Sequence, residues 1–164
     1  MVVDDTWQGY LELTLRLVLA LVSGAILGWD REQQEKPAGL RTHMLVALGS
    51  AIFVLLGLDL SQGIDSSNAQ VQVDLAKVLA GIIGGIGFLG AGTIMEKRGD
   101  VEGITTAASI WVVAGVGVAW GLGSYFIAIA AVVLSITILS IARFTAYRAL
   151  VNQSDRSTNK DEDD

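Results

Sequence analysis

The stretch from Gly103 to Ala142, GITTAASIWVVAGVGVAWGLGSYFIAIAAVVLSITILSIA, runs for forty residues without one Asp, Glu, Lys, Arg or His. A soluble chain of 164 residues has no interior that hides such a segment. A bilayer does, and one crossing asks for about 20 apolar residues. The stretch therefore reads as two membrane helices that turn at Gly121-Leu122-Gly123-Ser124. Runs such as Ala128–Leu134 lack the in/out alternation of a lipid-facing barrel strand, and helices are then the way to satisfy the backbone in lipid.

Outward from that stretch, long apolar runs predict five spans: Leu11–Trp29, Leu40–Leu58, Val78–Met95, Ile104–Trp120 and Leu122–Ala142. The expected fold is all-α, a polytopic bundle of five transmembrane helices filling residues 1–150. A disordered acidic cytoplasmic tail is expected over residues 151–164, which end in four acids and have little to bury. Charged residues make up only 17% of the chain, against roughly 25% in soluble domains. Nine of the eleven basic residues fall on one side: Arg31, Lys36 and Arg41; Lys97 and Arg98; and Arg143, Arg148, Arg156 and Lys160. The other side carries Asp4, Asp5, Asp59, Asp65 and Asp74 against Lys77. Positive-inside bias then puts the N-terminus outside and the C-terminus in the cytoplasm. MVVDDTWQGY lacks the basic region of a signal peptide, so the first span is expected to stay.

The third span contains GIIGGIGFLGAGTIM, Gly81–Met95, with Gly85-x-Gly87-x-x-Gly90 inside it. A dinucleotide turn of that pattern needs a preceding strand and an acid about 20 residues on, and position 110 is Ile. At about 3.6 residues per turn, Ala80, Gly84, Gly87 and Ala91 form one small stripe and Gly81, Gly85 and Gly92 a second. Leu79, Ile82, Ile83, Ile86 and Leu89 take the opposite arc. Small stripes let helices approach closely in lipid. Gly81, Gly84, Gly85, Gly87, Gly90 and Gly92, with the deep Trp111, are therefore read as packing positions, and spans 1, 3 and 4 as the core. Gly24-x-x-x-Gly28 and Gly117-x-x-x-Gly121 supply matching small faces. A broken helix lining a transport site is the sharper alternative.

Polar residues collect at the inner ends of the spans. Asp30-Arg31-Glu32 closes span 1, Gly39-Leu40-Arg41-Thr42-His43 opens span 2, and Glu102-Gly103-Ile104-Thr105-Thr106 opens span 4. Helix N-termini carry free N–H groups and partial positive charge. Arg31, Glu32, Arg41, Thr42, His43, Thr105 and Thr106 are thus candidates for binding a ligand or ion, with Glu32 held by Arg41 or by the start of span 4. The competing structural reading makes Arg31 and Arg41 topology anchors and Thr105 a helix cap. The lone His43 either titrates near neutral pH or satisfies a neighbouring carbonyl. Glu12 and Arg16 are spaced to pair and to snorkel outward.

The sequence has no cysteine and no G-x-S-x-G or H-E-x-x-H, so nucleophilic and zinc chemistry lack their parts and no enzyme is expected. Mg²⁺ needs only one or two carboxylates plus waters, which makes Asp30 and Glu32 the candidate metal residues. Spans 2 to 5 carry no carboxylate at depth, so a conventional cation path lacks its usual ligands.

Three ordered motifs, GWDREQQEKPAGLRTHMLVALGS, GIGFLGAGTIM and VEGITTAASIWVVAGVG, resemble the membrane domain of the MgtC/SapB family. The resemblance runs from span 1 to the end of span 4. Arg31, Glu32, Gly39, Arg41, Thr42, His43, Gly85, Gly87, Gly90, Gly92, Gly103, Thr105, Thr106 and Trp111 match its motif positions. It implies a bacterial inner-membrane protein tied to growth in low magnesium and, in pathogens, to survival within macrophages. Founding members are regarded as modulators of the F-type ATP synthase rather than proven magnesium carriers. The soluble C-terminal domain of longer members is not expected here. The resulting expectation is a binding or modulatory protein in the bilayer, a homo-oligomer with a dimer favoured, possessing a membrane-protein partner and no nucleic acid. A transporter of Mg²⁺ or another small solute is the alternative.

Overall fold

Each of the five apolar runs forms a helix in the computed structural model, which describes residues 7–63, 74–97 and 99–141. Helices α1 (Trp7–Gln33), α2 (Leu40–Gly63), α3 (Leu75–Ala91) and α4 (Ile104–Gly121) are followed by α5 (Tyr125–Ile141). By length and composition, α1, α2 and α4 can cross a membrane, while α3 and α5 are shorter apolar helices. The tail expected over residues 151–164 and the Asp65 loop lie outside the described residues.

The all-α expectation needs one amendment. Between α3 and α4 the chain forms an antiparallel hairpin, β1 (Met95–Lys97) with β2 (Asp100–Glu102), pairing Met95 with Glu102. Met95, expected inside span 3, therefore belongs to a strand. The helix stops earlier because the Thr93 and Ile94 N–H groups tighten to i−3 bonds with the Gly90 and Ala91 carbonyls, and the Thr93 hydroxyl also donates to the Gly90 carbonyl. The expected turn at residues 121–124 is present, with Gly123 at φ 72°.

The core is not made by spans 1, 3 and 4. Its buried residues come from α1 (Ala20, Leu27), α2 (Val46, Ala47, Ala51) and α4 (Ile110, Val113, Val116), with Ala128 from α5. The two GxxxG faces both close on α2. A Cβ at Gly24 would lie 2.6 Å from the His43 carbonyl oxygen, and one at Gly28 would lie 2.8 Å from the Leu40 Cα. On the other side, a Cβ at Gly117 would lie 2.2 Å from the Ala47 carbonyl oxygen. Helix α2 can accept both neighbours because Ala47, Ser50 and Ala51 are short. Close backbone approach through small residues is what holds such helices together where lipid matches leucine in apolarity.

Helix α3 sits at the margin. Val78, Leu79, Ile82 and Ile86 are half-buried, while among the described residues nothing beyond the helix's own backbone lies within 4 Å of a Cβ at Gly81, Gly84, Gly85 or Gly87. Within one chain Leu79, Ile82 and Ile86 of the bulky arc pack while Ile83 and Leu89 stay exposed, and these four glycines do not make the contacts expected of them with spans 1 and 4. Gly90 is the exception, facing Ala107 of α4. Trp111, expected to pack, is 54% exposed. Trp120 instead is buried and donates its indole N–H to the Ser23 hydroxyl at 2.8 Å, tying α4 to α1. Arg16 pairs with Glu12 as expected, but it does not snorkel. It is 9% exposed and donates to the Gly121 carbonyl at 3.0 Å, which satisfies the negative end of α4.

Candidate functional site

The candidate residues gather at the end of the bundle where α1 finishes and α2 and α4 begin. Arg31 is 4% exposed, and its guanidinium donates through Nε and Nη2 to Asp30 Oδ2 at 3.2 and 2.6 Å. Gln34 donates to the same oxygen at 2.7 Å. A cation at this depth is tolerable only with such partners, so Arg31 is a built part of the end of the bundle.

Glu32 is held neither by Arg41 nor by the start of α4. Its Oε2 accepts the Leu40 N–H at 2.9 Å and so caps the free first turn of α2 from outside the helix. Gly39 makes room for this, because a Cβ there would fall 1.7 Å from the same oxygen. Glu32→Ala should lower unfolding free energy by about 1 kcal/mol, the usual cost of a lost cap, read as a lower thermal midpoint. Arg41 is exposed and Thr42 half-buried on the first turn of α2.

Thr105 does not cap α4. The N-cap is Gly103, at φ 93° and with no side-chain cap bond, and Thr105 is exposed within the first turn. Thr106 is buried. Its carbonyl accepts from the Ser109 hydroxyl at 2.8 Å, and Ser109 Oγ lies 3.0 Å from Nε2 of His43. His43 is fully buried, with Nδ1 2.9 Å from the Gly39 carbonyl oxygen. The plain reading of His43 as a group satisfying a nearby carbonyl is thus met, and a second bond to α4 is added.

The structure therefore brings Arg31, His43 and Thr106 inside, uses Glu32 as a cap, and leaves Arg41 and Thr105 at the surface. Ser109 was missed from sequence. Its signal is modest: it stands three positions after Thr106 and next to the buried Ile110. Asp30 and Glu32, the candidate metal residues, both accept hydrogen bonds from protein groups. Each has an oxygen committed to the bonds above, and no three His, Cys, Asp or Glu side chains converge among the described residues. Beside the cluster, α1, α4 and α5 enclose a cavity of about 210 Å³ whose lining includes Thr105, Ser109 and Ser135.

Comparison with known proteins adds names. The model of the MgtC family matches residues 17–147. A protein called putative magnesium transporter YhiD, from Escherichia coli K12, is 34% identical over 139 residues, covering 85% of this chain and 64% of the relative. Protein SrpB of Synechococcus elongatus is 42% identical over 122 residues, 70% of this chain and 65% of the relative. Protein MgtC of Salmonella typhimurium is 40% identical over 139 residues, 85% of this chain and 55% of the relative. The chain spans between about half and two thirds of the length of these relatives. No solved structure matches it.

Proposed function

The chain belongs to the MgtC family, and from that premise we propose that it is a binding or modulatory protein linked to Mg²⁺ homeostasis. It works in the bacterial inner membrane, N-terminus outside and C-terminus in the cytoplasm, as the charge asymmetry of the loops suggests. It acts through helix contacts with partners in the bilayer, a second copy first and a larger membrane complex such as the F-type ATP synthase after it.

The observation that supports this reading is the division between a sealed interior and an unsatisfied outside. Among the described residues, the buried polar and charged side chains are Arg16, Ser23, Arg31, His43, Ser50 and Thr106. Buried among them are the apolar Ala20, Ala47, Ala51, Val113 and Val116, and none of the six is a carboxylate that would replace the water shell of a hard cation. By contrast, Gly81, Gly84, Gly85 and Gly87 face outward with space for another helix. Alongside them, α2 and α3 form an apolar groove of about 550 Å³ lined by Leu45, Gly49, Phe53, Gly81, Gly85 and Leu89. Close-packing glycines with no partner helix among the described residues suit a partner from another chain.

The second reading, transport of Mg²⁺ or another small solute, draws on the name of the Escherichia coli relative. The chain has no cysteine, so single-cysteine variants report contacts cleanly. Gly84→Cys in native membranes should cross-link copy to copy under mild oxidation, whereas Val18→Cys on the exposed side of α1 should not. Equal cross-linking at the two positions would count against the glycine face as the contact.

A further inference from the structure

We propose that His43 and Ser109 form a reversible proton-binding site buried between α2 and α4, with the Ser109 hydroxyl as its switch. Three contacts define it: Nδ1 to the Gly39 carbonyl at 2.9 Å, Nε2 to Ser109 Oγ at 3.0 Å, and Ser109 Oγ to the Thr106 carbonyl at 2.8 Å. Carbonyl oxygens only accept, so Nδ1 carries a hydrogen in every state. That fixes the neutral tautomer and leaves Nε2 with its lone pair aimed at Ser109.

Hydrogen counting then separates the two charge states. Neutral His43 and Ser109 bring two hydrogens to three contacts. The Ser109 O–H donates to Nε2, and the Thr106 carbonyl does without it at no loss, since a carbonyl inside a helix already accepts from the residue four positions on. Addition of a proton to the Nε2 lone pair supplies the third hydrogen. Nε2–H now donates to Ser109 Oγ, and the Ser109 O–H swings to the Thr106 carbonyl. Both states keep every polar group paired, and the passage between them is one hydroxyl rotation with no heavy atom displaced. A buried imidazole normally cannot change charge so simply, because the unpaired form of a buried polar group is expensive.

The surroundings fit a proton rather than a larger ligand. Ser109 forms part of the wall of the 210 Å³ cavity beside Thr105 and Ser135, which gives the hydroxyl an approach that the imidazole itself lacks. From α1, the charged groups facing His43 are Arg31, paired with Asp30, and the Glu32 carboxylate beside Gly39. On α2 itself Arg41 is exposed, and the described faces of α4 and α5 carry no titratable side chain here. Protonation would therefore place a second positive charge beside Arg31, at the end of the bundle that presents Arg41 and Thr105.

The test uses the fact that the chain has one histidine, so ¹⁵N-histidine labelling of the whole protein in nanodiscs reads a single imidazole. At high pH the spectrum should show Nδ1 protonated and Nε2 bare. On acidification Nε2 should gain a hydrogen while Nδ1 keeps its own, reversibly and with unchanged helicity. Ser109→Ala should displace the midpoint of that transition and shift the Nε2 resonance, and Ser109→Thr, which keeps a hydroxyl, should restore both. Three results would overturn the proposal: a bare Nδ1 at high pH, an imidazole that stays neutral until the fold is lost, or Ser109→Ala titrating as the parent does. The first two are read on the parent protein and stand even where a variant fails to fold.

Discussion

Gly117→Leu should abolish the folded bundle. Position 117 is where α4 meets α2 most closely, and even a methyl group there would lie 2.2 Å from the Ala47 carbonyl oxygen and 3.0 Å from the Ala47 Cα. Both are backbone atoms of a helix that cannot step aside, because Gly24 and Gly28 of α1 press on its other side. The helices must separate, and the cavity this opens runs through the layer of Val113, Val116 and Ala51. Overpacking a tight core usually costs about 1–3 kcal/mol and more where the backbone must move, against a total stability of roughly 5–15 kcal/mol. A leucine should exceed that range, and Gly117→Ala should already lie at about 3 kcal/mol. Denaturant titration of purified protein, followed by helicity and tryptophan fluorescence, checks this. Gly84→Leu, with nothing beyond its own helix within 4 Å among the described residues, should leave the same titration unchanged and instead weaken association between copies, read as loss of the Gly81→Cys cross-link in the Gly81→Cys/Gly84→Leu double variant. A Gly117→Leu protein as stable as Gly84→Leu would contradict the placement of α2 at the centre.

Gly103→Ala should do nearly as much damage, at the end of the molecule that carries the candidate site. Gly103 holds φ 93°, a conformation that costs a residue with a Cβ roughly 1–2 kcal/mol. Its added Cβ would also fall 1.9 Å from the Thr93 carbonyl oxygen, a backbone atom between α3 and β1. Relief requires the hairpin to move away from the start of α4, for a combined loss of about 3 kcal/mol or more. The local consequence is specific. Thr106 sits in that first turn and Ser109 in the next, bonded to the Thr106 carbonyl, so the contact from Ser109 to His43 should loosen, visible as a shifted Nε2 resonance. Limited proteolysis should cut within the hairpin of the variant before it cuts the parent. Unchanged proteolysis and an unchanged imidazole spectrum would contradict the role given to this glycine.

The membrane helices were legible because lipid imposes a coarse rule. Forty uncharged residues form two apolar helices, α4 and α5, of which α4 is long enough to cross a membrane, and the turn at Gly121–Ser124 follows from length. The partners of each helix were not legible. The wheel drawn on α3 separates a small arc from a bulky one, but it cannot say which arc meets the rest of the chain. In the structure, the glycines that pack within the chain are those of α1 and α4, because α2 brings Ala47 and Ala51 to meet them. The same blindness gave the packing role to Trp111, whereas Trp120, on the opposite side of α4, is the buried one.

At the polar end, the sequence showed where the chemistry gathers without showing how it is divided. Arg31 and Arg41 look alike as basic residues near a span end, yet one is buried against Asp30 and the other is exposed. Burial of that kind depends on the approach of α2 to Gly28, a tertiary fact. Glu32 read as a ligand or ion-pair partner, and its job as a cap of α2 became visible only when the chain folded back through Pro37 and Gly39. His43 was found because it is single, while Ser109 was overlooked because a serine inside an apolar helix carries no periodic signal.

The most direct measurement for a modulatory protein with a sealed bundle is Mg²⁺ flux into liposomes that hold the purified protein and a Mg²⁺-sensitive dye. The expected result is uptake no faster than in protein-free liposomes, the same for the parent and for Arg41→Ala. Uptake clearly above that background in the parent, and lost in Arg41→Ala, would contradict it, because Arg41 is exposed and its removal leaves the packed interior untouched.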